Sequence, residues 1–227
     1  MSTGYHPPVE EYLEAMYELE EAGVPVIRAR LAERLSHAAP TVTEMVRRLE
    51  GEGYVQAKGR SLRMTAAGRK LAESVVRKHR LAERLLADVI GLEWHKVHAE
   101  AGRWEHVISD DVEKRLVVLL ENPATCPHGN PIPGVRVPKR DLRPLADAEP
   151  GERVRLERVT ETVELDAESL AYLDERGFRP GVEAAVEAKA PDGTLTLAVE
   201  GDAVAVGREL AEELYVADVA PAVAARP

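Results

Sequence analysis

Cysteine is nearly missing from this 227-residue chain: Cys126 stands alone. No intrachain disulfide can form, and a reducing, cytoplasmic setting is expected. Aromatic residues are scarce too, with two Trp, six Tyr and one Phe, too few for the stacking platform of a single-strand nucleic-acid binder. No apolar run approaches the ~18–20 residues of a membrane span, and the first eight residues, MSTGYHPP, lack the basic-then-apolar order of a secretion signal. No membrane partner is expected. What remains is an ordinary globular composition, 44% apolar and 31% charged. At roughly 100–200 residues per domain, the length suits one large domain or two to three small ones.

A net charge of −10 argues against nucleic acid only on average. Residues 26–70 carry ten Lys/Arg against four Glu, a net of +6, which leaves −16 for the rest. A local basic region still attracts phosphate, because exposed charges act within a Debye length of ~10 Å. A merely solvated basic face is the alternative.

Hydrophobic periodicity predicts a helix over 8–22, where Val9, Tyr12, Leu13, Met16, Tyr17 and Leu19 recur at three- and four-residue steps. Pro7 and Pro8 precede it, and Gly23 and Pro25 end it. A short helix is expected over 28–35, and a third over 40–52 with Pro40 in its first turn and Val42, Met45, Val46 and Leu49 inward. Residues 54–65 read as a hairpin around Lys58-Gly59-Arg60.

Helix, short helix, turn, helix, hairpin is the order of a winged helix-turn-helix. The third helix must then lie in the major groove, so its outward residues are small and polar. Ala38, Ala39, Pro40, Thr41, Thr43, Glu44 and Arg47 meet that need. Arg28 and Arg30 on the second helix, and Lys58, Arg60 and Ser61 at the hairpin, are the further candidates for contact with the duplex. A three-helix bundle with an incidental hairpin remains open.

A long helical stretch is expected over 66–91, a second over 94–108 and a third over 110–121. Their apolar residues, from Leu71 to Leu120, exceed what one thin layer can hide, which points to a dimerisation module; a self-contained bundle is the alternative. Residues 122–150 contain Pro123, Pro127, Pro131, Pro133, Pro138, Pro144 and Pro150 and read mostly as loop and linker. Residues 152–217 change character. Short strands at 154–156, 182–186 and 194–199, a helix over 166–176, and Gly-rich turns fit a small SH3-like β barrel. Beyond it, residues 220–227 read as a loose tail. The fold class expected is mainly α with β. The segments are a DNA-binding domain over 1–74, a helical metal-binding and dimerisation domain over 75–140, a linker over 141–151 and an SH3-like domain over 152–220.

Imidazoles and carboxylates recur at ligand spacing. His79 and Glu83 share a helical face. On a helix over 94–108, His98 would lie two turns from Glu105 and His106 on the same side. Glu11 and Glu14 are three apart on the first helix, and Cys126 and His128 alternate in the proline-rich loop. Imidazole with carboxylate suits divalent first-row metals, and a thiolate adds a softer ligand. Each pair alone also reads as a solvated polar pair.

These residues together resemble a known family. Residues 11–19 (EYLEAMYEL), 28–35 (RARLAERL), 40–43 (PTVT), 60–65 (RSLRMT), 77–86 (RKHRLAERLL), 96–98 (KVH), 103–107 (RWEHV), 129–134 (GNPIPG) and 179–181 (RPG) are similar to the diphtheria toxin repressor family of metal-dependent bacterial repressors. The likeness runs along the whole chain. It implies Fe(II) or Mn(II) at two sites. The positions matching the primary site are Glu11, Gly102, Glu105 and His106. Those matching the second are His79, Glu83 and His98, assisted by an acidic residue of the SH3-like domain, best matched by Asp166 and less closely by Glu168 or Ser169. Cys126 and His128 match ligand positions of some manganese-type members.

Two departures bear on function. Iron-type members carry methionine at the position of Glu11 and cysteine at that of Gly102. A glycine offers only its carbonyl, so water or another ligand such as Glu14 must complete that site. Glu44 stands where iron-type members have glutamine, so their operator does not carry over. The resemblance implies a cytoplasmic, homodimeric repressor on a palindromic double-stranded operator, with Mn(II) preferred and Fe(II) the alternative metal. A metallo-hydrolase using the same His and Glu residues, or a winged-helix sensor of an organic ligand, are the rival readings.

Overall fold

A computed structural model describes residues 8–138 and 141–219. They form two compact units. The first comprises the described part of Met1–Leu86 with Ala99–Pro123 and Ile132–Val135; the second comprises Ala87–His98, Ala124–Pro131 and the described residues from Arg136 onward.

In the first unit, α1 (Pro8–Glu21) buries Tyr12, Leu13, Ala15 and Met16. Helices α2 (Arg28–Arg34) and α3 (Ala39–Gly51) follow, with Pro40 in the first turn of α3, where a missing N–H costs nothing. Ser36, at φ 52, turns the chain between them. Strands β1 (Val55–Lys58) and β2 (Ser61–Met64) pair antiparallel, with Lys58 opposite Ser61, so Gly59 and Arg60 form the two-residue turn. Ile27 bridges to Ser61, tying this wing to the start of α2. Tyr12, Leu13, Met16, Leu31, Val42, Val46, Leu49, Val55 and Leu62 make the core.

Helix α4 (Ala66–Arg84) is capped by Thr65, whose hydroxyl accepts from the Gly68 N–H. A Cβ on Gly68 would lie 2.1 Å from the Tyr54 carbonyl oxygen. Only glycine lets the helix start this close to the hairpin. The helix continues into a wider turn over Leu85–Ile90. The single helix expected over 94–108 is instead a short 3-10 turn, Trp94–Lys96, and α5 (Val97–Ala101), with turns through Val107. Gly102 ends α5, as its backbone freedom favours. His98 consequently belongs to the second unit, and Glu105 and His106 to the first. Helix α6 (Asp110–Leu119) is capped by Ser109 and ends where Glu121 and Asn122 turn left-handed, at φ 57 and 56.

The second unit holds a six-stranded antiparallel sheet in the order β3-β8-β4-β5-β6-β7. Its strands are β3 (Arg143–Pro144), β4 (Arg153–Val159), β5 (Glu183–Lys189), β6 (Leu195–Val199), β7 (Asp202–Val206) and β8 (Leu214–Asp218). Short helices α7 (Glu161–Glu164), α8 (Ala167–Glu175) and α9 (Arg208–Glu212) join them. The expected linker over 141–151 is partly structure. Residues 143–144 form an edge strand, where proline is tolerated, and Leu145 is fully buried. The proline-rich loop is ordered too. The Val159 N–H donates to the His128 carbonyl at 2.8 Å, and Gly129, at φ +88, leaves no room for a Cβ against Glu157. Among the described residues no helix is long and apolar enough to cross a membrane. The expected tail, 220–227, lies outside the described residues.

Candidate metal centres and DNA-binding surface

Each unit holds a cluster of carboxylates and imidazoles. In the first, the helical repeat of α4 sets His79 and Glu83 side by side, with Nε2 and Oε1 3.4 Å apart. The Glu105 carboxylate lies between two imidazoles, in contact with His79 Nδ1 and 3.0 Å from His106 Nε2. His106 Nδ1 is 2.7 Å from Glu10 Oε2. Glu14, Glu105 and His106 each offer a ligand atom within 4.8 Å of one another.

Burial of these groups shapes their ionisation. Burial by itself would raise the Glu105 carboxyl, but attraction to His79 and hydrogen bonds with His106 and His79 hold it well below the usual carboxylate range. Burial would lower the His79 and His106 imidazoles, and their carboxylate neighbours raise both instead. Carboxylates this deep require positive charge beside them, from protons or from a cation.

In the second unit, His98 Nε2 lies 3.3 Å from Glu161 Oε1, and its Nδ1 lies 3.1 Å from Glu164 Oε2. His128 Nδ1 is 3.2 Å from the same Glu164 oxygen. Asn130 Nδ2 donates to the Val159 carbonyl at 2.9 Å and to Glu164 Oε1, fixing that carboxylate. Cys126, His128 and Glu164 offer ligand atoms within 4.8 Å of one another, as do His98, Glu161 and Glu164. Trp94 donates its indole N–H to the Pro127 carbonyl at 3.0 Å and packs its ring 4.7 Å from that of His128.

The expected ligands fall unevenly on this geometry. Glu14, Glu105 and His106 come together, with His79 and Glu83 on the same unit. Glu11 is half-buried on α1 and joins no such group among the described residues. Gly102 offers no side chain. Asp166 is an exposed N-cap of α8: it accepts from the Glu168 N–H at 3.2 Å, the Ser169 N–H at 3.4 Å and the Ser169 hydroxyl at 2.6 Å. The acidic residues at His98 are Glu161 and Glu164, which sequence reasoning missed along with Glu10 and Asn130. Their i,i+3 spacing just after Thr160 was the available signal. The donor sets, oxygen and imidazole with one thiol, fit a divalent first-row ion.

Most of the candidates for contact with a duplex are exposed. Ala39, Pro40, Thr41, Glu44 and Arg47 are exposed on α3, while Thr43 is half-buried and donates its hydroxyl to the Ala39 carbonyl at 2.9 Å. Lys58, Arg60 and Ser61 are exposed at the wing tip. Arg47, Lys58 and Arg60 make no ion pair among the described residues, whereas Arg30 pairs with Glu33 at 2.7 Å and Arg28 lies 4.0 Å from Glu50.

A recognition helix and wing on the same unit as buried ligand-type side chains define a metal-responsive DNA-binding regulator. Comparison with known proteins gives the family. Three family models match in succession: "Iron dependent repressor, N-terminal DNA binding domain" over residues 6–61, "Iron dependent repressor, metal binding and dimerisation domain" over 65–134, and "FeoA domain" over 143–218. The iron-dependent repressor IdeR of Mycobacterium tuberculosis is 44% identical over 225 residues, covering 92% of this chain and 96% of the relative. The diphtheria toxin repressor of Corynebacterium efficiens is 49% identical over 185 residues, covering 77% and 80%. Among solved structures, a manganese-dependent transcriptional repressor in complex with manganese superposes with a TM-score of 0.83 at 29% identity, covering 93% of this chain and all of that one. ScaR with bound zinc superposes at 0.76 and 28% identity, covering 94% of this chain and 100% of the other. The chain belongs to the iron-dependent repressor family: it is a metal-responsive, DNA-binding transcriptional repressor with a dimerisation domain, not an enzyme. The hydrolase reading falls with that assignment.

Proposed function

We propose that this repressor answers to Mn(II) and, as a homodimer in the cytoplasm, binds a palindromic operator when loaded. One observation carries the choice of metal. The group formed by Glu14, Glu105 and His106, with Glu10 at 2.7 Å from His106, is built from oxygen and imidazole without sulfur. Mn(II) binds most weakly in the divalent series and is selected by hard oxygen ligands and geometry. In this reading Glu14, with Glu10, takes the place that the resemblance gives to Glu11. His98, Glu161, Glu164, Cys126 and His128 serve a second site within the second unit, and His79 and Glu83 are further ligand candidates of the first unit.

A divalent ion supplies the positive charge that these clustered carboxylates draw from protons in the metal-free protein. Glu10 and Glu14 then hold α1 against Glu105 and His106, and the DNA-competent arrangement gains population in proportion to its better affinity for the ion. Arg60 and Lys58 meet phosphate, and the exposed face of α3 reads base edges.

Fe(II) is the second reading, favoured by the iron-dependent relatives at 44% identity. The deciding experiment is an anaerobic titration of DNA binding with Mn(II), Fe(II), Co(II) and Zn(II). The probe is a duplex selected from a random pool by the loaded protein. Half-activation by Mn(II) at or below the concentration needed for Fe(II) supports the proposal; activation by Fe(II) at tenfold lower concentration overturns it.

A further inference from the structure

Helix α1 has two working faces. Glu10 and Glu14, one turn apart, address Glu105 and His106. Tyr12 lies between them in sequence and therefore about 200° around the helix from each, 1% exposed in the core of the first unit. Its hydroxyl is joined to His37 Nδ1 by a hydrogen bond of 2.9 Å, with ring centroids 5.6 Å apart.

His37 occupies the turn that sets the direction of the recognition helix. It stands between Ser36, at φ 52, and Ala38, the N-cap of α3. Ala38 brings no side-chain cap, and neither does Ile27 at the start of α2. The turn is held by backbone bonds, His37 N–H to the Ala32 carbonyl at 3.0 Å among them, and by the Tyr12 bond. Apolar packing between α1 and its neighbours tolerates small slips. A hydrogen bond weakens steeply with angle and length, and a buried phenol left without its partner carries the full cost of desolvation.

We propose that Tyr12 and His37 are positioning residues that pass the placement of α1 at the Glu14–Glu105–His106 group to the recognition helix. The inference rests on the proposed metal-activated reading and deepens it. Tyr12 is too deeply buried to touch DNA, so its variant reports on transmission alone.

The test compares wild type with Tyr12→Phe, which removes only the hydroxyl, His37→Leu, which removes its hydrogen-bond partner, and His37→Asn, which keeps a polar atom at the δ position. The probe is again the pool-selected duplex. Three quantities are read: DNA affinity with saturating Mn(II) and with chelator, Mn(II) affinity without DNA, and melting temperature. The expected result is a loaded-to-chelated affinity ratio reduced about three- to tenfold in Tyr12→Phe and His37→Leu, the scale of one hydrogen bond. His37→Asn should recover most of it, the double variant should fall no further than the worse single one, and DNA-free Mn(II) affinity should stay within about twofold. If Tyr12→Phe does not fold, the contrast of His37→Leu with His37→Asn carries the test. An unchanged ratio, additive losses, or a matching loss of DNA-free Mn(II) affinity overturns the linkage while leaving metal activation intact. A wild-type ratio of one overturns both.

Discussion

Two imidazoles, His79 and His106, share the carboxylate of Glu105. Its charge and theirs give the metal-free protein an opposed pair of pH dependences. His79 and His106 hold protons more tightly folded than unfolded, so their contribution is complete below the ordinary value of 6.5 and is lost as pH rises through their raised values. Glu105 contributes above its ordinary 4.5, and that contribution is lost as pH falls through its depressed value. Ligation needs both imidazoles without those protons, so Mn(II) competes with them. The rise in melting temperature on adding Mn(II) anaerobically should therefore be larger at pH 8 than at pH 6. A rise independent of pH would remove His79 and His106 from the ligand set. A second residue-scale expectation separates neighbours on α1. Glu14→Gln should raise the half-activating Mn(II) concentration at least tenfold, roughly the 1.4 kcal/mol that a lost charge-assisted contact represents. Glu11→Gln should change it less than threefold. Equal effects would return Glu11 to the site.

At the scale of elements, capping decides between two roles that carboxylates of the second unit can play. Asp166 uses its oxygens on the Glu168 and Ser169 N–H groups and the Ser169 hydroxyl, and those bonds, the Ser169 hydroxyl first, lower its carboxyl. Asp166→Ala should cost about 1 kcal/mol of stability, as an N-cap does, and leave half-activation unchanged. Glu164→Gln, which alters the oxygen between His98 and His128, should do the reverse; its failure to change Mn(II) binding in calorimetry would exclude the cluster. The contrast shows what sequence could and could not deliver. Period-3.6 patterning placed α1 to α3 almost to the residue, because each buries one stripe against a single core, and the Lys58-Gly59-Arg60 turn placed the wing; the helix expected over 66–91 keeps regular α geometry only to Arg84. The patterning failed over 94–108, where alternating polar and apolar residues continue past Gly102 but the backbone does not. It also gave no means of preferring Glu161 and Glu164 over Asp166. Which carboxylates face His98 is a matter of tertiary placement rather than spacing: Asp166 caps α8, whereas Glu161 and Glu164 of α7 lie beside that imidazole.

For the molecule as a whole, the apolar surface left on the first unit is the feature with most to explain. Val112 and Leu119, two turns apart on one stripe of α6, are 49% and 58% exposed, and Val107 and Val118 reach 69% and 74%. The excess of apolar side chains in this region was legible in the sequence as a sign of association. Which of them stay uncovered was not, since Leu116, in the same helix, is buried. Exposed apolar side chains on a domain whose family description includes dimerisation are the expected meeting surface of two copies. Glutamate at position 119 would place a charge where the partner supplies no counter-ion, and desolvating it would oppose association. Leu119→Glu should therefore sediment as a monomer at micromolar concentration with an unchanged circular dichroism spectrum, because the side chain is already in water in the single chain. Its Mn(II) affinity should remain, since the Glu14–Glu105–His106 group lies within one chain. Its affinity for a two-half-site duplex should fall to that of wild type for a single half-site, because two recognition helices no longer bind as one body. A variant that stays dimeric, or one that is monomeric yet still prefers two half-sites, would place the interface elsewhere.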